Sequence, residues 1–127
     1  MFEQQRALKL PLLEIASAYR ILSLAAMEGK PITAEVQVIT VGRELAWVGL
    51  PGEVFTELGM AIKNGSPFPY TIVSSLANDY LSYFINRKAY AEGNYEAVVT
   101  RFAPGAGEAL VDAAVRMLTE SWQSSGK

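Results

Sequence analysis

Neither cysteine nor histidine occurs anywhere in the 127 residues. Without cysteine there is no disulfide framework, no thiolate zinc site and no cysteine nucleophile. Without histidine the commonest metal ligand and the commonest general base are gone, so an autonomous Ser-His-Asp triad or His-based metal centre is excluded. A surplus of one charge is also missing: eleven Lys+Arg stand against thirteen Asp+Glu, for a net charge of -2. No basic stripe can neutralise a row of phosphates, and nucleic acid is not expected as a partner. Long apolar runs are absent too. Stretches such as Ile21 to Met27 fall far short of the roughly 20 residues a span needs, so no transmembrane segment is expected. Met1 to Arg6 leads into Leu8, Lys9 and Leu10 rather than a basic start and a long apolar run, so no secretion signal is expected and the compartment stays unassigned.

What the chain does contain is hydrophobic substance: half of its residues are apolar and only 19% are charged. That balance lies far from the compositions that remain disordered, and a buried core is expected. No repeat, low-complexity tract or Gly/Ser linker interrupts the chain, so residues 1–127 read as a single unit with a polar tail from Gln123 to Lys127.

Leu8 to Leu12, with Pro11 inside it, suits an edge strand or an extended arm. From Glu14 to Glu28 the pattern is helical, with Ala18, Tyr19, Leu22 and Ala26 on one face and Gly29 and Pro31 as cap and stop. Glu35 to Val41 alternates like a strand. Gly42-Arg43 then reads as a two-residue hairpin connection, and Glu44 to Leu50 as an antiparallel partner. Leu45 to Leu50 is nearly unbroken apolar sequence, which predicts a central strand covered on both faces with Trp47 in the core. After Pro51-Gly52, Val54 to Asn64 carries Phe55, Leu58 and Ile62 at helical spacing, with Gly65 as its cap. Tyr70 to Ser75 is the next strand, and strand, helix and strand in this order make a right-handed βαβ crossover. Arg87 to Glu92 suits a short helix, Tyr95 to Phe102 a last β-rich run, and Gly107 to Trp122 a closing helix with Val111, Val115, Leu118 and Trp122 on one stripe. The fold class is therefore α/β: a mixed sheet in which a β-hairpin leads into a right-handed βαβ unit, with helices packed on the sheet and a C-terminal helix.

Ligands of open α/β sheets bind beyond the carboxyl ends of parallel strands. Glu53 follows the second strand and Tyr83 the third, so the crossover is expected to bring both to one sheet edge. Glu53 also reads as an ordinary acid in the first turn of a helix, favourable to its dipole. On pattern alone Tyr83 reads first as one of several core or rim tyrosines with a hydrogen-bonded hydroxyl. Together, a carboxylate and a phenol oxygen form a pair able to bind a cation. The glycines of Ala103 to Glu108 precede a helix and read as a turn or as an anion site, although no phosphate-loop Lys or Ser/Thr follows.

The blocks Val48-Gly49-Leu50-Pro51-Gly52-Glu53, then Ser75 to Tyr83 (Ser-Leu-Ala-Asn-Asp-Tyr-Leu-Ser-Tyr), then Arg87-Lys88-Ala89-Tyr90 and Asn94-Tyr95-Glu96 are similar in order and spacing to one family. From about Val36 to Leu118 the chain resembles the C-terminal part of the catalytic domain of neutral ceramidases. The resemblance implies a zinc-dependent amidohydrolase that cleaves the N-acyl amide of ceramide to fatty acid and sphingosine. It also implies that zinc is held by histidines from earlier in the domain together with Glu53, the Glu of the Pro-Gly-Glu turn, and Tyr83, the second Tyr of Asn-x-Tyr-x-x-Tyr. Phe84-Ile85-Asn86 and Lys88 depart from the usual pattern.

No residue of this chain is assigned a catalytic role, because the histidine ligands are missing from it. It is expected to be part of a longer or split protein, inactive and a poor zinc binder alone. The implied partners are a ceramide-like lipid substrate for the complete enzyme and the missing N-terminal half of the domain, or else self-association through apolar surface left uncovered. The alternative is a non-catalytic α/β interaction or small-molecule-binding module that kept the fold and lost the metal half.

Overall fold

A computed structural model describes residues 11–125, so Leu8 to Leu10 of the expected N-terminal arm lie outside the described residues. In chain order the elements are α1 (Leu12–Ala26), β1 (Gln37–Val41), β2 (Leu45–Gly49), β3 (Glu53–Val54), α2 (Thr56–Gly65), β4 (Tyr70–Ser74), β5 (Tyr83–Phe84), α3 (Arg87–Glu92), α4 (Tyr95–Val99) and α5 (Ala106–Ser124). β1, β2 and β4 form a mixed sheet in that order, and β3 pairs with β5 in a second, two-stranded one.

β2 is central, as its apolar run implies. It runs antiparallel to β1 and parallel to β4, which α2 connects to it across the sheet. The hairpin register pairs Val41 with Leu45, so the connection is the three residues Gly42-Arg43-Glu44 rather than two. Glu44 is drawn out of the β1 pairing because its carbonyl accepts the Tyr70 amide at 2.9 Å, at the start of β4.

One face of this sheet carries the core. Ala46 and Val48 of β2 meet Leu58 and Ile62 of α2 and Leu110, Ala114 and Leu118 of α5, with Phe68 and Phe84 closing the ends. Gly65 is not the left-handed cap expected of it. It ends α2 with ordinary backbone, and a Cβ there would lie 2.8 Å from a Val115 methyl, so its smallness lets α2 approach α5.

The other face is open, contrary to the expectation of a strand covered on both sides. Ile39, Trp47 and Ile72 stand in register across β1, β2 and β4 and are 56%, 50% and 41% exposed. Trp47 is therefore not a core residue: strand alternation turns Ala46 and Val48 inward and Trp47 outward, where its indole N–H donates to Ser74 Oγ at 2.8 Å.

Two further expectations are corrected at the periphery. Pro11 and Leu12 do not belong to a strand, because Pro11 precedes the first turn of α1 and its carbonyl accepts the Glu14 amide at 3.1 Å. The helix lies on α4, half-burying Ile15, Ala16, Arg20 and Ser23, and leaves the Ala18, Tyr19, Leu22 and Ala26 side exposed. Tyr95 to Val99 is that helix, α4, not a strand: the Asn94 carbonyl accepts the Ala97 and Val98 amides, and packing against α1 outweighs the β preference of Tyr and Val.

Candidate functional site

The site is built where β2 ends. The segment from Leu50 to Phe55 is held from both sides by backbone hydrogen bonds. From the β4 side, the Leu50 amide donates to the Ser74 carbonyl at 2.9 Å, and the Ala77 and Leu76 amides donate to the Leu50 and Gly52 carbonyls at 2.9 and 3.0 Å. From the β5 side, the Leu81 amide donates to the Pro51 carbonyl at 2.9 Å, while the Glu53 and Phe55 amides donate to the Ser82 and Phe84 carbonyls at 3.1 and 3.0 Å. Only glycine fits at position 52, since a Cβ would strike the Ser82 carbonyl and come within 2.9 Å of the Phe84 ring.

This clasp places Glu53 directly opposite Tyr83 in the parallel β3–β5 register. Glu53 is thus not in the first turn of the helix, as expected, but in a strand ahead of Phe55 and α2; pairing with β5 claims its backbone first. The loop that delivers Tyr83 is strained. Leu76, Asn78 and Ser82 have φ of +56°, +68° and +122°, conformations that cost about 1–3 kcal/mol each unless their surroundings impose them. Here Thr100 imposes the exit, its hydroxyl donating to the Tyr83 carbonyl at 2.7 Å, and Asn78 Nδ2 is tied to Gln37 Oε1 at 3.0 Å.

The side chains form a tyrosine cluster around one carboxylate. Tyr80 Oη donates to Glu53 Oε1 at 3.2 Å. Burial, and then the neighbouring Glu53 carboxylate, push the Tyr83 phenol up to about 12; Tyr80 is raised by the same two causes, with Arg101 pulling the other way. Both phenols are therefore protonated at neutral pH. Tyr95 sets its ring edge-to-face with Tyr83 at 6.1 Å, and a cavity of about 130 Å³ opens among Tyr80, Ser82, Tyr83, Tyr95, Val99 and Arg101.

Glu53 and Tyr83, the two residues expected from the sequence, are brought side by side. The participation of Tyr80, Tyr95 and Arg101 was not anticipated; the signal for Tyr80 was its place three residues ahead of Tyr83, on the same loop. As a metal shell the set is partial. It offers one carboxylate and phenol oxygens, and the described residues contain no group of three His, Cys, Asp or Glu able to hold an ion. Zinc takes three or four protein ligands, so these residues suit a share of such a shell rather than all of it.

The Gly105 turn is structural. Gly105 itself has φ +101°, and at the start of α5 the Glu108 carboxylate accepts the Arg87 amide at 2.9 Å, so the helix brings its own anion.

No family model and no curated protein matches the chain. Among solved structures it is similar to the crystal structure of neutral ceramidase from Pseudomonas aeruginosa, with 25% sequence identity, a TM-score of 0.63, and coverage of 70% of this chain and 15% of that one. The likeness is a distant structural relationship at the level of the fold, and the chain corresponds to a small part of that enzyme's length.

Proposed function

We propose that this chain is one part of a zinc-dependent amide hydrolase of the neutral ceramidase type, acting on the N-acyl amide of a ceramide-like lipid, and that Glu53 and Tyr83 are its contribution to the metal shell. The observation that carries this reading is the pairing of Glu53 with Tyr83 beyond the end of β2, in a fold similar to that of a ceramidase. The remaining ligands would be histidines supplied from outside these residues.

Bound zinc supplies Lewis acidity to the scissile carbonyl and lowers the pKa of water. The chain's own residues prepare the place for it. The Gly52 clasp fixes the Glu53 backbone, and Tyr80 Oη holds Oε1 of the carboxylate in one orientation. The raised Tyr83 phenol holds its proton at Oη at neutral pH.

The test is release of fatty acid from a ceramide in the presence of zinc. The chain alone should show no turnover, and addition of the histidine-bearing part, in cis or as a separate chain, should create it. Glu53→Gln and Tyr83→Phe should then each lower activity by about 100-fold or more, since even residues that merely orient metal ligands are worth about 10–100-fold. Turnover by the chain alone, or a reconstituted enzyme indifferent to both substitutions, refutes the proposal. The open row of Ile39, Trp47 and Ile72 favours a second reading, a non-catalytic interaction module, which gains if reconstitution gives a complex without turnover.

A further inference from the structure

A cavity of about 440 Å³ lies between α1 and α4 and borders the Glu53–Tyr83 site, with Tyr80, Tyr95, Val99 and Arg101 lining both. Its volume falls within the range of about 300–1,000 Å³ typical of small-molecule sites. One wall is apolar, made by Leu12, Ile15 and Ala16 of α1 and Val99 of α4. Two cations, Arg20 and Arg101, also line it.

Among the described residues neither arginine has an acidic partner within salt-bridge distance, the ion pairs there being Lys30–Glu28 and Lys88–Glu92. Arg20 Nε is shielded from solvent and makes no hydrogen bond. Two guanidinium groups without an acidic partner beside an apolar wall suit an anionic head on an apolar chain, because charge-assisted N–H donors match the oxygens of such a head. The nearby Glu53 carboxylate does not line this cavity and accepts the Tyr80 hydroxyl instead.

From these observations we infer that the α1–α4 cavity binds a single-chain amphiphile with an anionic head, its head group between Arg20 and Arg101 and its tail along Leu12, Ile15, Ala16 and Val99. Arginine matches a carboxylate or a phosphate through the same paired N–H donors, so the head chemistry is shared between fatty acids and alkyl phosphates. Binding needs neither metal nor histidine. It is a property of this chain by itself, and its failure would leave the hydrolase proposal untouched, just as failed reconstitution would leave this one untouched.

The experiment is displacement of a dansyl-labelled undecanoic acid from the chain, read by emission below micelle-forming concentrations, with laurate, dodecyl phosphate, dodecanol and acetate as competitors. Laurate or dodecyl phosphate should displace the probe, the stronger of the two identifying the head group. Dodecanol should be at least about tenfold weaker and acetate without effect, since one lost charged contact is worth roughly that factor. The double variant Arg20→Gln/Arg101→Gln should weaken the anionic competitor at least about tenfold and leave dodecanol unchanged. Ala16→Phe, which fills the apolar wall, should weaken all long-chain competitors while circular dichroism stays that of the parent. No binding by the parent chain, equal displacement by dodecanol and laurate, or unchanged affinity in the double variant overturns the proposal. If the double variant does not fold, the head-group comparison on the parent and the Ala16→Phe arm still decide it.

Discussion

Replacing Gly52 by alanine adds one methyl group at the tightest backbone approach in the site. The position does not require a left-handed conformation, since Gly52 is absent from the residues with positive φ, and the cost is therefore steric. The new Cβ would meet the Ser82 carbonyl and lie 2.9 Å from the Phe84 ring, and neither can retreat easily: Ser82 O holds the Glu53 amide and Phe84 is buried in the core. Overpacking of this kind costs about 1–3 kcal/mol. Parting the β3–β5 strands also weakens the Glu53–Ser82 and Leu81–Pro51 hydrogen bonds, at about 0.5–1.5 kcal/mol each. Set against these is about 0.4–1 kcal/mol gained because alanine stiffens the unfolded chain. The expected net loss is about 1–5 kcal/mol. Gly59→Ala provides the contrast, because a Cβ there lies 3.9 Å from Val73 Cγ1, an ordinary contact, in the middle of α2. It should stabilise by about 0.5–1 kcal/mol. Urea unfolding followed by far-UV circular dichroism compares the midpoints. A Gly52→Ala midpoint within about 0.5 kcal/mol of the parent, or shifts of the same sign for both variants, would refute the reasoning about the clasp.

Other expectations concern titration, packing and surface. The Tyr83 phenol titrates near 12 in the folded chain against about 10 when unfolded, so its contribution is complete below about pH 10 and drains away as pH rises through 12. Phenolate absorbance should show a late-titrating tyrosine that Tyr83→Phe removes, and titration of every tyrosine near 10 would contradict this. Leu118→Ala, at a fully buried position of α5, should cost about 2–5 kcal/mol. Leu22→Ala, at a side chain 68% exposed on α1, should stay within about 1 kcal/mol; equal costs would mean that the outer side of α1 is covered in solution. The Ile39–Trp47–Ile72 row should drive concentration-dependent self-association that Trp47→Lys lowers without loss of stability, as sedimentation velocity can establish.

The parts of the fold that could be read from the chain are those governed by local chemistry. Pro51-Gly52 punctuates the strand, Phe55, Leu58 and Ile62 mark the helix that crosses the sheet, and β2 and β4 come out parallel. The same topology makes it intelligible that Glu53 and Tyr83 share an edge. What was hidden depends on partners distant in sequence. The run Leu45 to Leu50 is apolar throughout and cannot say which of its faces is covered, so Trp47 was placed inside when it stands outside. Tyr95 to Val99 has strand-forming residues, yet it is a helix packed against α1, a partner distant in sequence. Gly65 looked like a cap because the side chain it must admit, Val115, lies on another helix. Tyr80 escaped notice as the hydrogen-bond donor to Glu53 because the strained backbone of Leu76, Asn78 and Ser82, which turns it there, leaves little signature in residue type: none of the three is glycine, and of them Asn78 alone is of a type that often adopts positive φ.

The β3–β5 pair has a consequence for the order in which the chain assembles. It is parallel and only two residues long in each strand, so no tight turn can close it and no local nucleus can start it. Both clasps on Pro51-Gly52 originate in segments that follow β4, so Glu53 and Tyr83 are expected to meet after α2 has crossed the sheet and β4 has zipped to β2. Closure of that long loop is an entropic step that earlier contacts must prepare. Refolding should therefore pass through a chain that has its sheet and its helices and still has no site, with the ultraviolet signature of the Tyr80–Tyr83–Tyr95 cluster arriving after the far-ultraviolet signal is complete.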